Sequence, residues 1–281
     1  MEIDLPDRTL SLERVAVMGI LNTTPDSFYD QGKFAGLDKA QRRAVEMAFE
    51  GADIIDIGGE KAGPGPRVSV EEELSRVIPV IEAVANSIGL PLSVDTFKPE
   101  VARQAVECGA EIVNSIGGFE DVEMRRVAAD TGAAIVIMHI KGRPRVANPR
   151  PRYEDVVGEV EAFLRERAAE CMADGIDGRR IIIDPGPGFG KTTRQDVELL
   201  SNLHRLAALP FPLLLAVSRK KFIGDVLGEA VDSRLEGSLA MAAWGVLQGA
   251  RMVRTHDVKA TRRVVDMTEA TRHPELVEPK T

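Results

Sequence analysis

The chain has 281 residues and a mass of 30.5 kDa, with 44% hydrophobic and 28% charged side chains, too apolar for a disordered protein and too evenly mixed for a fibrous one. Its 36 basic and 44 acidic residues leave a net charge of -8, which excludes a general nucleic-acid binder working through a basic face; any anionic ligand must be met by locally gathered cations. Residues 1–12 carry acids rather than a signal-like apolar run, and no stretch approaches the roughly 18 apolar residues of a membrane helix, so a cytoplasmic protein with no membrane partner is expected.

Residues 1–12 read as a small β-hairpin. Short apolar runs then recur at 15–21, 53–57, 92–94, 111–113, 134–139, 181–183, 213–217 and 251–253. Between and after them, helical spacing of apolar residues marks 40–49, 70–85, 99–108, 122–131, 155–172, 195–206, 235–247 and 258–270. Strands buried on both faces read as continuous apolar runs, and eight strand–helix units close most economically into a single (β/α)8 TIM barrel spanning 1–281, with the hairpin over its N-terminal end. The competing architecture, an open doubly wound sheet, would more often carry a Gly-rich dinucleotide turn after its first strand, and none follows Leu21. Residues 273–281 look like a polar, fraying tail. Cys108 and Cys171 fall in expected helices at a spacing that suggests neither a metal set nor a redox pair, and His139, His204, His256 and His273 are too dispersed for a local zinc signature.

Such a barrel gathers its active site at the C-terminal ends of the strands. Those ends read Asn22, Asp56, Asp95, Asn114, His139, Asp184, Ser218 to Lys220, and Arg254 to His256. Asp95, Asn114, Asp184 and Lys220 together suit a flat, nitrogen-rich heterocycle such as a pterin or guanine edge: carboxylates accept paired N–H bonds, an amide donates and accepts, and an ammonium donates to a ring carbonyl or nitrogen. Taken singly, each Asp or Lys among them also fits a local ion pair. Arg254 and His256 follow the eighth strand, where barrels frequently hold phosphate; His256 alternatively caps the helix after Asp257. Asn22 opens a loop over 23–38 whose acids and amides suit a hard cation near a diphosphate.

Two further loops stand out. Gly186-Pro187-Gly188-Phe189-Gly190-Lys191 has the wrong glycine spacing for a Walker loop; its glycines are expected to let the backbone approach a ligand, with Phe189 as an apolar wall. Residues 141–152 carry Lys141, Arg143, Arg145, Arg150 and Arg152 with no acid among them, which describes either a solvated Pro-rich loop or a device that concentrates anionic substrates at the barrel mouth.

The motifs Met18-Gly-Ile-Leu-Asn-Thr-Thr-Pro-Asp-Ser-Phe28, Asp53-Ile-Ile-Asp-Ile-Gly-Gly-Glu60, Ser93-Val-Asp-Thr96, Asp184-Pro-Gly-Pro-Gly-Phe-Gly-Lys191, Ser218-Arg-Lys220 and Arg234-Leu-Glu-Gly237 resemble the signatures of dihydropteroate synthases, in that family's order and over nearly the whole chain. The resemblance implies transfer of a dihydropterin-6-ylmethyl group from its diphosphate to the amine of p-aminobenzoate, releasing pyrophosphate, in folate biosynthesis. It further implies pterin binding by Asp95, Asn114, Asp184, Lys220 and Arg254, diphosphate binding by Asn22, Arg254 and His256, and Mg2+ held with the help of Asn22. No side-chain nucleophile is implied, and a homodimer is expected.

The chain departs from that pattern on the acceptor side. Where the family usually reads Glu-Ser-Thr-Arg-Pro-Gly, this sequence has Glu60-Lys61-Ala62-Gly63-Pro64-Gly65, so a hydroxyl and a guanidinium are missing. Lys221 stands where a serine is common, and Asn114-Ser115 replaces an Asn-Asp pair. Acceptor binding is therefore expected from Lys61, Ser218, Lys221 and Phe189, with the two lysines replacing lost positive charge. The expected function is a working synthase; the alternatives are a paralogue that binds a pterin but uses another acceptor or turns over poorly, and a non-enzymatic pterin-binding module, which would not need the diphosphate side formed by Asn22, Arg254 and His256.

Overall fold

In the computed structural model, which describes residues 1–23 and 33–274, an antiparallel hairpin of β1 (Glu2–Asp4) and β2 (Thr9–Ser11) precedes eight parallel strands. These are β3 (Ala16–Asn22), β4 (Ile54–Gly58), β5 (Leu92–Asp95), β6 (Ile112–Ser115), β7 (Ala134–Met138), β8 (Ile181–Asp184), β9 (Leu214–Ala216) and β10 (Met252–Thr255). Each pairs with its neighbour in sequence, β10 pairs β3, and an Ile183–Leu213 bridge joins β8 to the entry of β9. The sheet thus closes on itself as the (β/α)8 barrel, and the doubly wound alternative falls.

Around the barrel run α1 (Lys33–Phe49), α2 (Val70–Ala85), α3 (Pro99–Glu107), α4 (Val122–Thr131), α5 (Val156–Ala173), α6 (Thr193–Ser201), α7 (Leu203–Ala207), α8 (Lys221–Leu227), α9 (Leu235–Leu247) and α10 (Val258–Arg272). Their starts are set by local chemistry. Ser69, Asp121 and Asp155 accept from backbone N–H groups of the first turns of α2, α4 and α5, and Thr192 with Gln195 forms a full capping box on α6. Among the described residues no helix is long and apolar enough to cross a membrane.

Three elements differ from expectation, the first being α1, which begins at Lys33 inside the loop expected over 23–38. The run 195–206 breaks at Asn202, whose Nδ2 donates 2.8 Å to the Glu198 carbonyl and ends α6; the apolar spacing continues into α7 and conceals the break. Helix α8 was not expected because seven residues closed by Gly228 at φ +72° are too few to show a period. Cys108 caps α3 rather than lying within it, and both cysteines are free thiols. Beyond residue 274, the expected polar tail lies outside the described residues.

The core has two layers, separated by strand parity. Outward-facing residues such as Val17, Ile55, Val94, Val113, Ile135, Ile183, Leu215 and Val253 pack beneath the helices. Inward-facing Met18, Ile54, Ile112, Val136, Ile182, Leu214 and Met252 fill the lower barrel together with Ile3, Leu5 and Leu12 of the hairpin segment, which plugs the N-terminal end. Side chains alternate along a strand, so the residue two places after an inward apolar one also points inward, one layer higher. Ile54 is followed in this way by Asp56, Ile112 by Asn114, Ile182 by Asp184, and Met252 by Arg254.

Candidate active site

The upper layer opens into a cleft of about 310 Å³ at the C-terminal ends of the strands. Its lining includes Asn22, Lys61, Asp95, Asn114, Asp184, Phe189, Ser218, Lys220, Arg254 and His256, so ten expected site residues meet in one place. A larger recess of about 710 Å³ lies at the opposite end, beside Met1, Ile3 and Phe211, but holds none of the strand C-terminal residues. Strand-end chemistry, not size, selects the smaller cleft.

The cleft is a buried ionic network. Asp184 is 2% exposed, and its Oδ1 accepts from the Gly186 N–H at 2.7 Å. Burial raises its pKa, against the opposing pull of Lys220 and that N–H. Lys220 is pushed down to about 8 by burial; its ammonium donates to the Pro187 carbonyl and sits 4.7 Å from the centroid of the Phe189 ring. Arg254 spans two carboxylates, with Nε 2.6 Å from Asp56 Oδ2 and Nη2 2.8 Å from Asp95 Oδ2. Burial raises the Asp95 pKa, opposed chiefly by Arg254. Asn114 donates 3.1 Å to Asp56, which fixes its amide orientation. At the rim, Ser218 Oγ lies 3.0 Å from His256 Nδ1 and accepts from the His256 backbone N–H at 3.2 Å.

Other residues were given no role from sequence. Asp56, fully buried, orients both Arg254 and Asn114; its place two residues after Ile54 was the available signal. Ile20, Ile116, Met138 and Ala216 supply apolar walls to the cleft, and their inward parity was legible once strand registers were known. Arg219 adopts φ +53° and grips Asp257 through Nε and Nη2, each 2.9 Å from a carboxylate oxygen, tying the ends of β9 and β10 together. Glu60, 8% exposed, also reaches the lining.

Lys221 requires correction. It is the first residue of α8, its side chain is 81% exposed, and its ammonium pairs with Asp225 at 2.6 Å one helical turn away, so it does not join the cleft. The glycine-rich loop is also corrected. Gly186, at φ +61°, and Gly190, at φ +60°, approach protein rather than ligand: an added Cβ would lie 1.9 Å from the His139 carbonyl oxygen and 2.2 Å from that of Lys141. Lys191 is turned into the same junction, donating to the carbonyls of Gly186 and Phe189 and lying 2.9 Å from His139 Nδ1. Burial lowers its pKa to about 7. Ser115 is fully buried and accepts from the Gly117 N–H at 3.2 Å, so that departure lies beneath a turn and outside the cleft lining.

Of the proposed cation site, Asn22 reaches the cleft at the end of β3, while residues 24–32 of its loop lie outside the described residues. Among the described residues, no group of three or more His, Cys, Asp or Glu is placed to hold a metal.

Residues 18–256 match a family described as pterin binding enzyme. The chain is 43% identical over 272 residues to dihydropteroate synthase of Escherichia coli K12, covering 96% of each, and 45% identical over 260 residues to that of Bacillus subtilis 168, covering 92% of this chain and 89% of the relative. Among solved structures, dihydropteroate synthase of Xanthomonas albilineans with 4-aminobenzoic acid matches at a TM-score of 0.90 and 44% identity over 99% of both chains. The same organism's enzyme in complex with 7,8-dihydropteroate matches at 0.89 and 43%, over 99% of this chain and 100% of that one. With its cleft residues in the order of those motifs and identity sustained from end to end, the chain belongs to the dihydropteroate synthase family of pterin-binding enzymes.

Proposed function

We infer that the protein transfers a dihydropterin-6-ylmethyl group from its diphosphate to the amine of p-aminobenzoate, forming dihydropteroate and pyrophosphate. The observation that carries this reading is the convergence of Asp95, Asn114, Asp184, Lys220 and Arg254 on one cleft, a donor and acceptor set matched to a pterin edge. In this scheme Asp184 and Asp95 accept ring N–H bonds, Asn114 reads a mixed donor–acceptor edge, and Lys220 donates to the ring. Arg254 and His256, with Asn22 at the end of the neighbouring strand β3, face the diphosphate. The methylene–oxygen bond breaks with its electron pair leaving on pyrophosphate, the electron-rich pterin supports positive character at the methylene, and the amine nitrogen forms the new C–N bond and loses a proton.

Magnesium suits the site as an ion carried by the substrate. Asn22 offers one amide oxygen, and Mg2+ is commonly held by one or two protein oxygens with phosphate and water completing its shell. Bound there, it supplies charge neutralisation for the departing diphosphate.

On the acceptor side, Lys61, Ser218 and Phe189 line the cleft and are proposed to meet p-aminobenzoate. Purified protein given the diphosphate ester, magnesium and p-aminobenzoate should release dihydropteroate, followed by mass; tight pterin binding with no product would instead favour a paralogue using another acceptor. We propose a homodimer formed through α8, α9 and the turn between them, where Val226, Leu227, Val231 and Leu247 are exposed; light scattering tests it. A cytoplasmic setting is proposed as well, in keeping with two free thiols.

A further inference from the structure

The segment 61–66, Lys-Ala-Gly-Pro-Gly-Pro, contributes Lys61 and Ala62 to the cleft, yet between residues 62 and 66 it has only Ala, Gly and Pro side chains with which to hold its shape. Arg145, in the loop after β7, binds it from across the barrel mouth. Its Nη1 donates to the carbonyls of Lys61, at 2.5 Å, and Gly63, and its Nη2 donates to that of Pro66 at 2.7 Å. Its Nε lies 2.9 Å from Glu60 Oε1, and its own carbonyl accepts from the Gly65 N–H at 3.2 Å. A Cβ at Gly65 would sit 2.7 Å from Nη2, so the glycine leaves room for the guanidinium.

Two further features separate Arg145 from the surface charge around it. Its side chain is only 7% exposed, and its backbone holds φ +67°, a left-handed conformation that is unfavourable for a non-glycine residue and persists where tertiary contacts demand it. Glu60 then passes the connection on. It accepts from Lys98 at 2.6 Å and from the Val68 N–H at 3.2 Å, and Lys98 also pairs with the fully buried carboxylate of Glu73 on α2. The loops after β4, β5 and β7 are thereby joined through one buried charge chain.

We propose that Arg145 is the positioning residue for the acceptor-side wall of the cleft, holding Glu60, Lys61 and Ala62 in place without itself lining the cleft. The assignment of that wall to the acceptor rests on the reading under Proposed function. It replaces both earlier readings of the 141–152 loop at this residue, since a buried guanidinium bonded to carbonyls is neither solvated nor a general attractor of anions.

The test compares Arg145→Ala and Arg145→Lys with Arg143→Ala, an exposed cation of the same loop. Arg145→Ala should raise KM for p-aminobenzoate about tenfold or more while pterin affinity stays within about twofold, because a displaced wall loses only the contacts it carried. Backbone amides of 60–68 should exchange faster with deuterium. Arg145→Lys, which cannot span three carbonyls and a carboxylate, should fall between, and also serves if the alanine variant does not fold. Arg143→Ala should match wild type. Equal KM changes in the Arg143 and Arg145 variants, abolished by salt, would overturn positioning in favour of bulk attraction; unchanged exchange at 60–68 would overturn it outright. Should wild type form no dihydropteroate, the inferred activity falls, and the exchange measurement still decides the role of Arg145.

Discussion

Asp184→Asn isolates the charge in pterin recognition from the shape of the site. In the native cleft, Oδ1 is committed to the Gly186 N–H at 2.7 Å, leaving Oδ2 for the ligand and Lys220 as the neighbouring cation. An asparagine that keeps its oxygen on Gly186 must present its NH2 to the cleft, so donor meets donor on the ring edge. The reverse orientation satisfies the ligand and breaks the loop bond instead. Either way one charge-assisted bond is lost in a site where the side chain is nearly sealed from water, a loss of about 1.5–3 kcal/mol, or about ten- to hundredfold in affinity. Calorimetric titration with the dihydropterin diphosphate measures it, and a parallel melting curve separates weak binding from unfolding. A folded Asp184→Asn protein that binds the pterin as tightly as wild type would refute the assignment of Asp184 to the ring.

Arg254→Ala should destabilise the protein by about 3–5 kcal/mol in urea unfolding near neutral pH, because it strands the fully buried Asp56 and the largely buried Asp95, and it should abolish turnover; a loss under about 1 kcal/mol would mean the carboxylates find other partners. Because burial lowers the Lys220 pKa to about 8, the free enzyme loses that charge as pH rises, so kcat/KM for the diphosphate ester should fall through pH 8. Lys220→Arg, which stays charged, should lack that alkaline limb; its persistence would assign the limb elsewhere. Lys221→Ser should leave KM for p-aminobenzoate within about twofold, since an exposed pair with Asp225 contributes little; a larger rise would return Lys221 to the acceptor side.

The order of strands and helices was legible because a buried parallel strand and an amphipathic helix leave different periods in the chain, and eight alternations have one economical closure. The polar strand ends were legible for the same reason: Asp95, Asn114, Asp184 and Arg254 interrupt apolar runs where a barrel must open to its ligand. Helix α8 left no comparable trace, and the fate of Lys221 turned on that helix, since it places Asp225 one turn below the ammonium. Contacts between loops were equally hidden. That Gly186 and Gly190 make room for the carbonyls of His139 and Lys141, and that Arg145 belongs to a segment some eighty residues earlier, depends on how far each loop folds over the barrel mouth. Local sequence determines which residues end a strand and which way alternate side chains point. The partners of a charge on a loop are decided only when the closed barrel brings separate loops together, because burial and pairing there are properties of the assembled surface and leave no period in the chain.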